Sequence, residues 1–172
     1  WARVGVRGQL VGEGAHLDLS GAYLGQGRQH HDHTLVVEHH APHGTSGQRF
    51  RGILGGRSRG VFSSLLVVTE TGVKADGVQE NRNVLLSEQA HADSEPMLRI
   101  HTDDVKAAHG TAIGKLDERA LFYLRSRGIP GPVARRLLTA GVAREVLLDI
   151  RNEAVRDLAL ATVDAWLQEH VA

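Results

Sequence analysis

A chain of 172 residues with 41% hydrophobic content is long enough for one real core, because a chain of this size buries roughly 70% of its unfolded surface. Lys plus Arg and Asp plus Glu each number 20, so no net charge recruits nucleic acid or an anionic membrane, and a charged partner has to be met by a local patch. With zero cysteines the chain has no disulfide, no thiolate zinc site, no cysteine nucleophile and no way to hold an iron–sulfur cluster through four thiolates of its own; its 11 histidines are the abundant soft ligands.

No apolar run approaches the roughly 20 residues that cross a bilayer, and no basic-then-apolar leader precedes the first strand, so the expected location is cytoplasmic. The chain opens on Trp1 and enters the alternating Val4-Gly5-Val6 at once, as the later part of something longer would. From Val4 to about His101 the apolar runs are short and β-branched: Leu35-Val36-Val37, Ile53-Leu54, Val61-Phe62 and Leu65-Leu66-Val67-Val68, each bounded by Gly, Ser, Asn or Asp. No long helical stretch separates them, which excludes a doubly wound α/β sheet and leaves a sandwich, a barrel or a β-solenoid. The spacing of Leu35, Ile53, Leu66, Leu85 and Leu98 suggests solenoid rungs of about 15 to 20 residues, without a clean sequence repeat.

The grammar turns helical near residue 115, so the expected division is a β core over 1–114 and a helical subdomain over 115–172. Asp117 is the expected N-cap of a first helix carrying Leu121, Phe122 and Leu124, with Gly128 as its stop. Pro130 and Pro132 restart the chain, and Val133, Leu137, Leu138, Val142, Val146, Leu147 and Ile150 form the predicted apolar stripe of a second helix. Asn152 caps a third, whose expected apolar face is Val155, Leu158, Ala159, Thr162, Val163 and Trp166.

Histidines crowd one passage: His30-His31-Asp32-His33, then Glu38-His39-His40 and His43. His31, His33 and Glu38 have nearly the spacing of the first cupin metal motif, two histidines on one strand face and a carboxylate shortly after, although the gap to Gly44 is one residue short and no second motif follows. The alternative reading makes them turn and edge histidines stacked on neighbouring rungs. Asp103-Asp104 reads as a turn whose carboxylate caps backbone N–H groups, since neighbours on a strand point to opposite faces and do not share one cation. His109 before Gly110 has no partner set by its neighbours. Gly55-Gly56 and Gly72 lack the spacing of a nucleotide site, Ser63-Ser64 lacks a nucleophile elbow, and Asn81-Arg82-Asn83 is expected in a turn whose amides satisfy backbone groups.

Taken in order, these passages resemble one family, the SufB/SufD scaffold proteins of the SUF iron–sulfur cluster assembly system. Gln29-His30, Asp32-His33-Thr34, His39, Pro42-His43 and Ser46 are similar to its histidine-rich passage. Phe50-Arg51-Gly52-Ile53-Leu54, Lys74-Ala75-Asp76 with Gln79, and NRNVLLSEQA from Asn81 to Ala90 follow in the family's order. The most specific stretch is DDVKAAHGTAIGKLDERALFYLRSRGI, Asp103 to Ile129. The resemblance implies a right-handed parallel β-helix followed by a C-terminal helical subdomain that docks on the SufC ATPase, with the β-helix pairing a B-type with a D-type subunit. It implies a non-catalytic scaffold that holds no cofactor tightly by itself and shares a transient iron–sulfur cluster in the complex. Gly110, where B-type members carry Glu, makes the chain resemble the D type. The family's cysteine two residues before the histidine is Ala107 here, which leaves His109 as the one side chain carried over as a cluster-site and metal candidate. Two readings stand beside this one: a cupin-like metal-dependent enzyme using His31, His33 and Glu38, and a purely structural solenoid.

Overall fold

Strands of nine to eleven residues begin every 14 to 16 residues along the first two thirds of the chain. They are β1 (Ala2–Leu10), β2 (His16–Gly25), β3 (His30–His39), β4 (Thr45–Leu54), β5 (Arg59–Val68), β6 (Ala75–Leu85), β7 (His91–Ile100) and β8 (Val105–Gly114). The structure, a computed structural model, describes residues 1–171. Successive strands alternate between two sheets, ordered β1-β3-β5-β7 and β2-β4-β6-β8, and every pairing is parallel. The architecture is a parallel β-solenoid of about four turns followed by three helices.

The rung is longer than the apolar spacing suggests. Ala2 pairs with His31 and Arg59 with His91, so one turn takes 29 to 32 residues and contains two strands. The interval of about 15 residues is half a turn. It blurs further because Leu35 and Leu66 point into the solenoid, whereas Ile53 points out of it under the helices. The repeat is carried by backbone conformation more than by residue identity. Gly14, His43 and Lys74 each take a left-handed φ (68, 59 and 58°) in successive turns stacked by hydrogen bonds from Gly14 N to Pro42 O, His43 N to Val73 O and Lys74 N to Asp104 O. Three different side chains at one structural position leave no motif to read, and only glycine adopts that φ without strain.

The interior is apolar at one level and polar at the next. Leu35, Phe62, Leu66, Val37 and Leu54 are fully buried, but so are Gln48, Ser64, Gln79 and Asn81. Asn81 and Asn83 lie within β6 rather than in a turn, on its inward face. Asn83 accepts a hydrogen bond from the Tyr23 hydroxyl, Asn83 Nδ2 donates to Asn81 Oδ1 at 2.6 Å, Ser94 Oγ donates to the same oxygen at 2.9 Å, and Asn81 Nδ2 donates to Phe50 O at 3.3 Å. Burial pushes the Tyr23 hydroxyl up to about 12, against the pull of its Asn81 and Asn83 bonds. Gly52 is what lets this network close, since a Cβ there would run into Asn83 Oδ1 and the Tyr23 ring.

β4 is buried on both faces, with Phe50 and Leu54 inside and Arg51 and Ile53 beneath the helices. α1 (Glu118–Ser126) starts at Asp117, whose carboxylate accepts from Arg119 N at 2.8 Å, and stops before Gly128 at φ 84°. α2 (Gly131–Leu147) starts after Pro130, with Pro132 in its first turn, and α3 (Glu153–His170) is capped by Asn152, which accepts from Val155 N at 3.2 Å. All three starts follow the sequence signals; the apolar faces follow them in part, since Val146, Leu147, Ile150, Ala159, Val163 and Trp166 join the core and others do not. Leu137 is 52% exposed, Val155 53% and Leu158 69%. Beside Val146 and Leu147, α2 buries Ala140 and Ala143 against Ile53, together with Val163 and Leu167 of α3. Alanines lie at the contact because α2 packs against the β2–β4 surface as well as against α3, and small side chains allow the axes to approach. The helices therefore share a core with the outer face of one sheet.

Candidate functional site at the open end of the solenoid

β7 and β8 are the last strands of their sheets in chain order, and among the described residues each has one edge without a neighbouring strand. Pro96, which has no N–H to donate to a ladder, stands on β7, where an edge strand tolerates it. On β8 the register puts Ala107 beside Gly77, His109 beside Gln79 and Thr111 beside Asn81. The partners on β6 all face inward, so His109 faces the open interior at the end of the stack. Ala107 packs against the Leu10, Val37 and Leu66 cluster.

His109 is exposed, and its Nδ1 lies 3.2 Å from Pro96 O. A carbonyl only accepts, so Nδ1 carries the proton, and in the neutral ring Nε2 keeps its lone pair, the form in which imidazole binds a metal. Pro96 pairs with Ser64 one rung below, and Ser64 contacts Gln79, the residue under His109. His109 and Pro96 thus repeat at the open end the cross-sheet contact that Gln79 and Ser64 make inside.

The histidine-rich passage is distributed differently from a metal site. His31, His33 and His39 lie on the inward side of β3. His33 stacks on Tyr23 at 4.7 Å, His39 Nε2 shares a 2.8 Å hydrogen bond with Ser46 Oγ, and burial lowers all three imidazoles below their ordinary pKa. Glu38 points the other way, to the outer surface, where Arg7 and Gln9 donate to it and the Gln9 bond leads in holding its carboxyl below the usual range. The cupin ligand set of His31, His33 and Glu38 is therefore split across the two faces of β3, as residues at odd and even positions of a strand must be. Among the described residues no group of three His, Asp or Glu side chains is placed to hold a metal ion. The all-parallel solenoid is also unlike the antiparallel jelly roll of a cupin. His43 occupies a left-handed turn, and Asp103-Asp104 forms the bend that leads into β8.

Arg51, which the sequence marks only as one residue of the Phe50–Leu54 passage, has a side chain 1% exposed on the outer face of β4. It donates to Glu145 of α2 through Nε (3.1 Å) and Nη2 (3.0 Å), and to Glu80 of β6 at 2.9 Å. Arg82 joins the group at 3.0 Å from Glu80. A surface cleft of about 610 Å3 lies elsewhere, lined by Asp18 of β2, Arg49 of β4 and Asp149 and Arg151 of the α2–α3 turn, whose two arginines and two aspartates leave no surplus of charge to recruit an ion.

Residues 1–142 match the family model described as "SUF system FeS cluster assembly, SufBD core domain". The chain belongs to this family of SUF iron–sulfur cluster assembly proteins. Within it the chain is SufD-like. It is 32% identical to the iron–sulfur cluster assembly protein SufD of Escherichia coli over 155 residues, 90% of this chain and 37% of that protein. It is 30% identical to SufD of Bacillus subtilis over 90% of this chain and 36% of the relative, and 34% identical to a SufBD family protein of Mycobacterium bovis over 95% and 43%. The chain thus spans less than half the length of these relatives. Among the described residues no helix is long and apolar enough to cross a membrane.

Proposed function

We propose that this chain is the later part of a SufD-like, non-catalytic scaffold subunit, which pairs at its β7–β8 end with a SufB-like subunit and docks a SufC-type ATPase on its helices. The observation that carries the reading is the position of His109 on the terminal strand, exposed, with Nδ1 bonded to Pro96 O and Nε2 free to bind iron. The cluster is cargo here. With no cysteine in this chain, the SufB-like partner supplies thiolates, and this chain contributes one imidazole ligand, His109. The chain binds no cluster tightly by itself, and the setting is the cytoplasm.

Several features give the ATPase a surface and a lever. Phe122 and Tyr123 are 72% and 57% exposed on α1, an apolar pair at the surface of a charged helix. α2 is tied to β4 and β6 through Arg51, Glu145 and Glu80, and β6 lies directly under β8. A pull on the helices is thereby delivered to the strand that pairs with the one carrying His109, through elements that move as rigid bodies. The full-length subunit is expected to co-purify with the SufC-type ATPase, and Phe122→Asp with Tyr123→Asp to lower the recovered ATPase at least tenfold while leaving the melting temperature unchanged. Full recovery of the ATPase by the double variant contradicts the docking surface.

A further inference from the structure

Among the described residues two networks of buried side-chain amides cross the solenoid interior, and only one of them closes. Around Tyr23, Asn81, Asn83 and Ser94 each amide is engaged. The other joins Gln48 of β4, Ser64 of β5 and Gln79 of β6, all three fully buried. Ser64 Oγ donates to Gln48 Oε1 and accepts from Gln79 Nε2, each at 2.5 Å, which uses its one proton and one of its two lone pairs. Gln48 Nε2 and Gln79 Oε1 are both buried and have no partner among the described residues.

Rotating the amides does not resolve this. Ser64 has one proton, so it donates to one glutamine and accepts from the other; turning both amides over only exchanges which glutamine is left with the free N–H and which with the free carbonyl. In either arrangement one donor and one acceptor remain, on side chains that stand in register on adjacent strands. Leaving both unmet costs about 1–3 kcal/mol apiece. No charged side chain belongs to the network, so an ion has no counter-charge there, and an apolar molecule would satisfy neither atom.

We propose that Gln48, Ser64 and Gln79 form an internal binding site for one uncharged, water-sized molecule that accepts from one glutamine and donates to the other, and that water is the occupant. The site lies one rung beneath His109, which pairs in register with Gln79. Its occupant fixes the Gln79 amide and so completes the floor over which the His109 ring stands. The site rests on the interior geometry and does not depend on the assembly role proposed above.

A high-resolution crystal structure of the chain tests this directly. The expected result is a density peak within about 2.7–3.2 Å of an amide atom of both Gln48 and Gln79. An empty site, or the two amides bonded to each other, overturns the proposal. The paired variant Gln48→Met with Gln79→Met gives a second readout in solution, because it preserves side-chain length and removes both polar ends. Oxygen-17 relaxation dispersion should then count one fewer long-lived internal water in the folded variant than in the parent, and an equal count overturns the site.

Discussion

Arg51→Ala is expected to destabilise the chain by about 3 kcal/mol, the low end for breaking a buried ion pair, because the carboxylates it serves remain partly exposed. The guanidinium itself is out of solvent, and it is placed by three charge-assisted bonds from two elements distant in sequence. Truncation leaves Glu145 and Glu80 facing each other beside Arg82 alone, and it opens a cavity at the joint between β4 and α2. For a domain of this size the loss corresponds to a fall of roughly 6–12 °C in melting temperature. Arg51→Lys recovers only part of it, since a point charge does not reproduce the fork that spans two carboxylates. Differential scanning calorimetry measures the effect. A fall under 2 °C for Arg51→Ala would mean that the helices are held by the Ile53, Ala143 and Val146 cluster alone.

Acid should unfold the chain in two stages. Burial lowers the imidazoles of His31, His33 and His39, so the unfolded chain binds protons that the folded chain refuses. Their contribution is complete above the unfolded pKa of 6.5 and declines as pH falls below it. Each such proton steepens the dependence by about 1.4 kcal/mol per pH unit, so the buried residues His33 and His39 together supply at most about 3 kcal/mol per unit within that window. The carboxyls act lower. Glu145 is depressed first by its bond from Arg51, Asp93 by its bond from Arg59 and Glu38 by its bond from Gln9, so their contributions are present above the ordinary carboxylate pKa and lost as pH falls through the folded values. Urea unfolding at pH 7.5 and 5.5 tests the first stage: the midpoint should drop clearly, and His39→Gln should reduce the drop. Equal midpoints would place these imidazoles in contact with solvent.

The residues that specify the fold differ in how openly they do so. Asp117, Gly128, Pro130, Pro132 and Asn152 act through their own backbone neighbours, so the helix starts and stops are legible one residue at a time. The solenoid is not, because its period is held by stacked turns in which Gly14, His43 and Lys74 do the same work with unrelated side chains. The family resemblance reaches the architecture that periodicity leaves open. Neither approach separates His31 and His33 from Glu38, although strand parity, taken alone, already puts them on opposite faces. The buried roles of Arg51 and of the Gln48–Gln79 pair are not legible for a common reason: each is polar in a passage whose burial depends on what a strand or helix about 30 or 94 residues away lays over it.

His109 carries the functional account, and the most direct test is made on the assembled complex. The full-length subunit, its SufB-like partner and the ATPase would be purified together without oxygen, with His109 intact or replaced by alanine, and iron and acid-labile sulfide counted per complex. The account predicts that the His109→Ala complex assembles with unchanged stoichiometry and ATPase activity while iron and sulfide fall together by severalfold, because the exposed ring contributes little to the fold. Full cluster content in the His109→Ala complex would contradict it and would reduce the open end of the solenoid to a pairing surface.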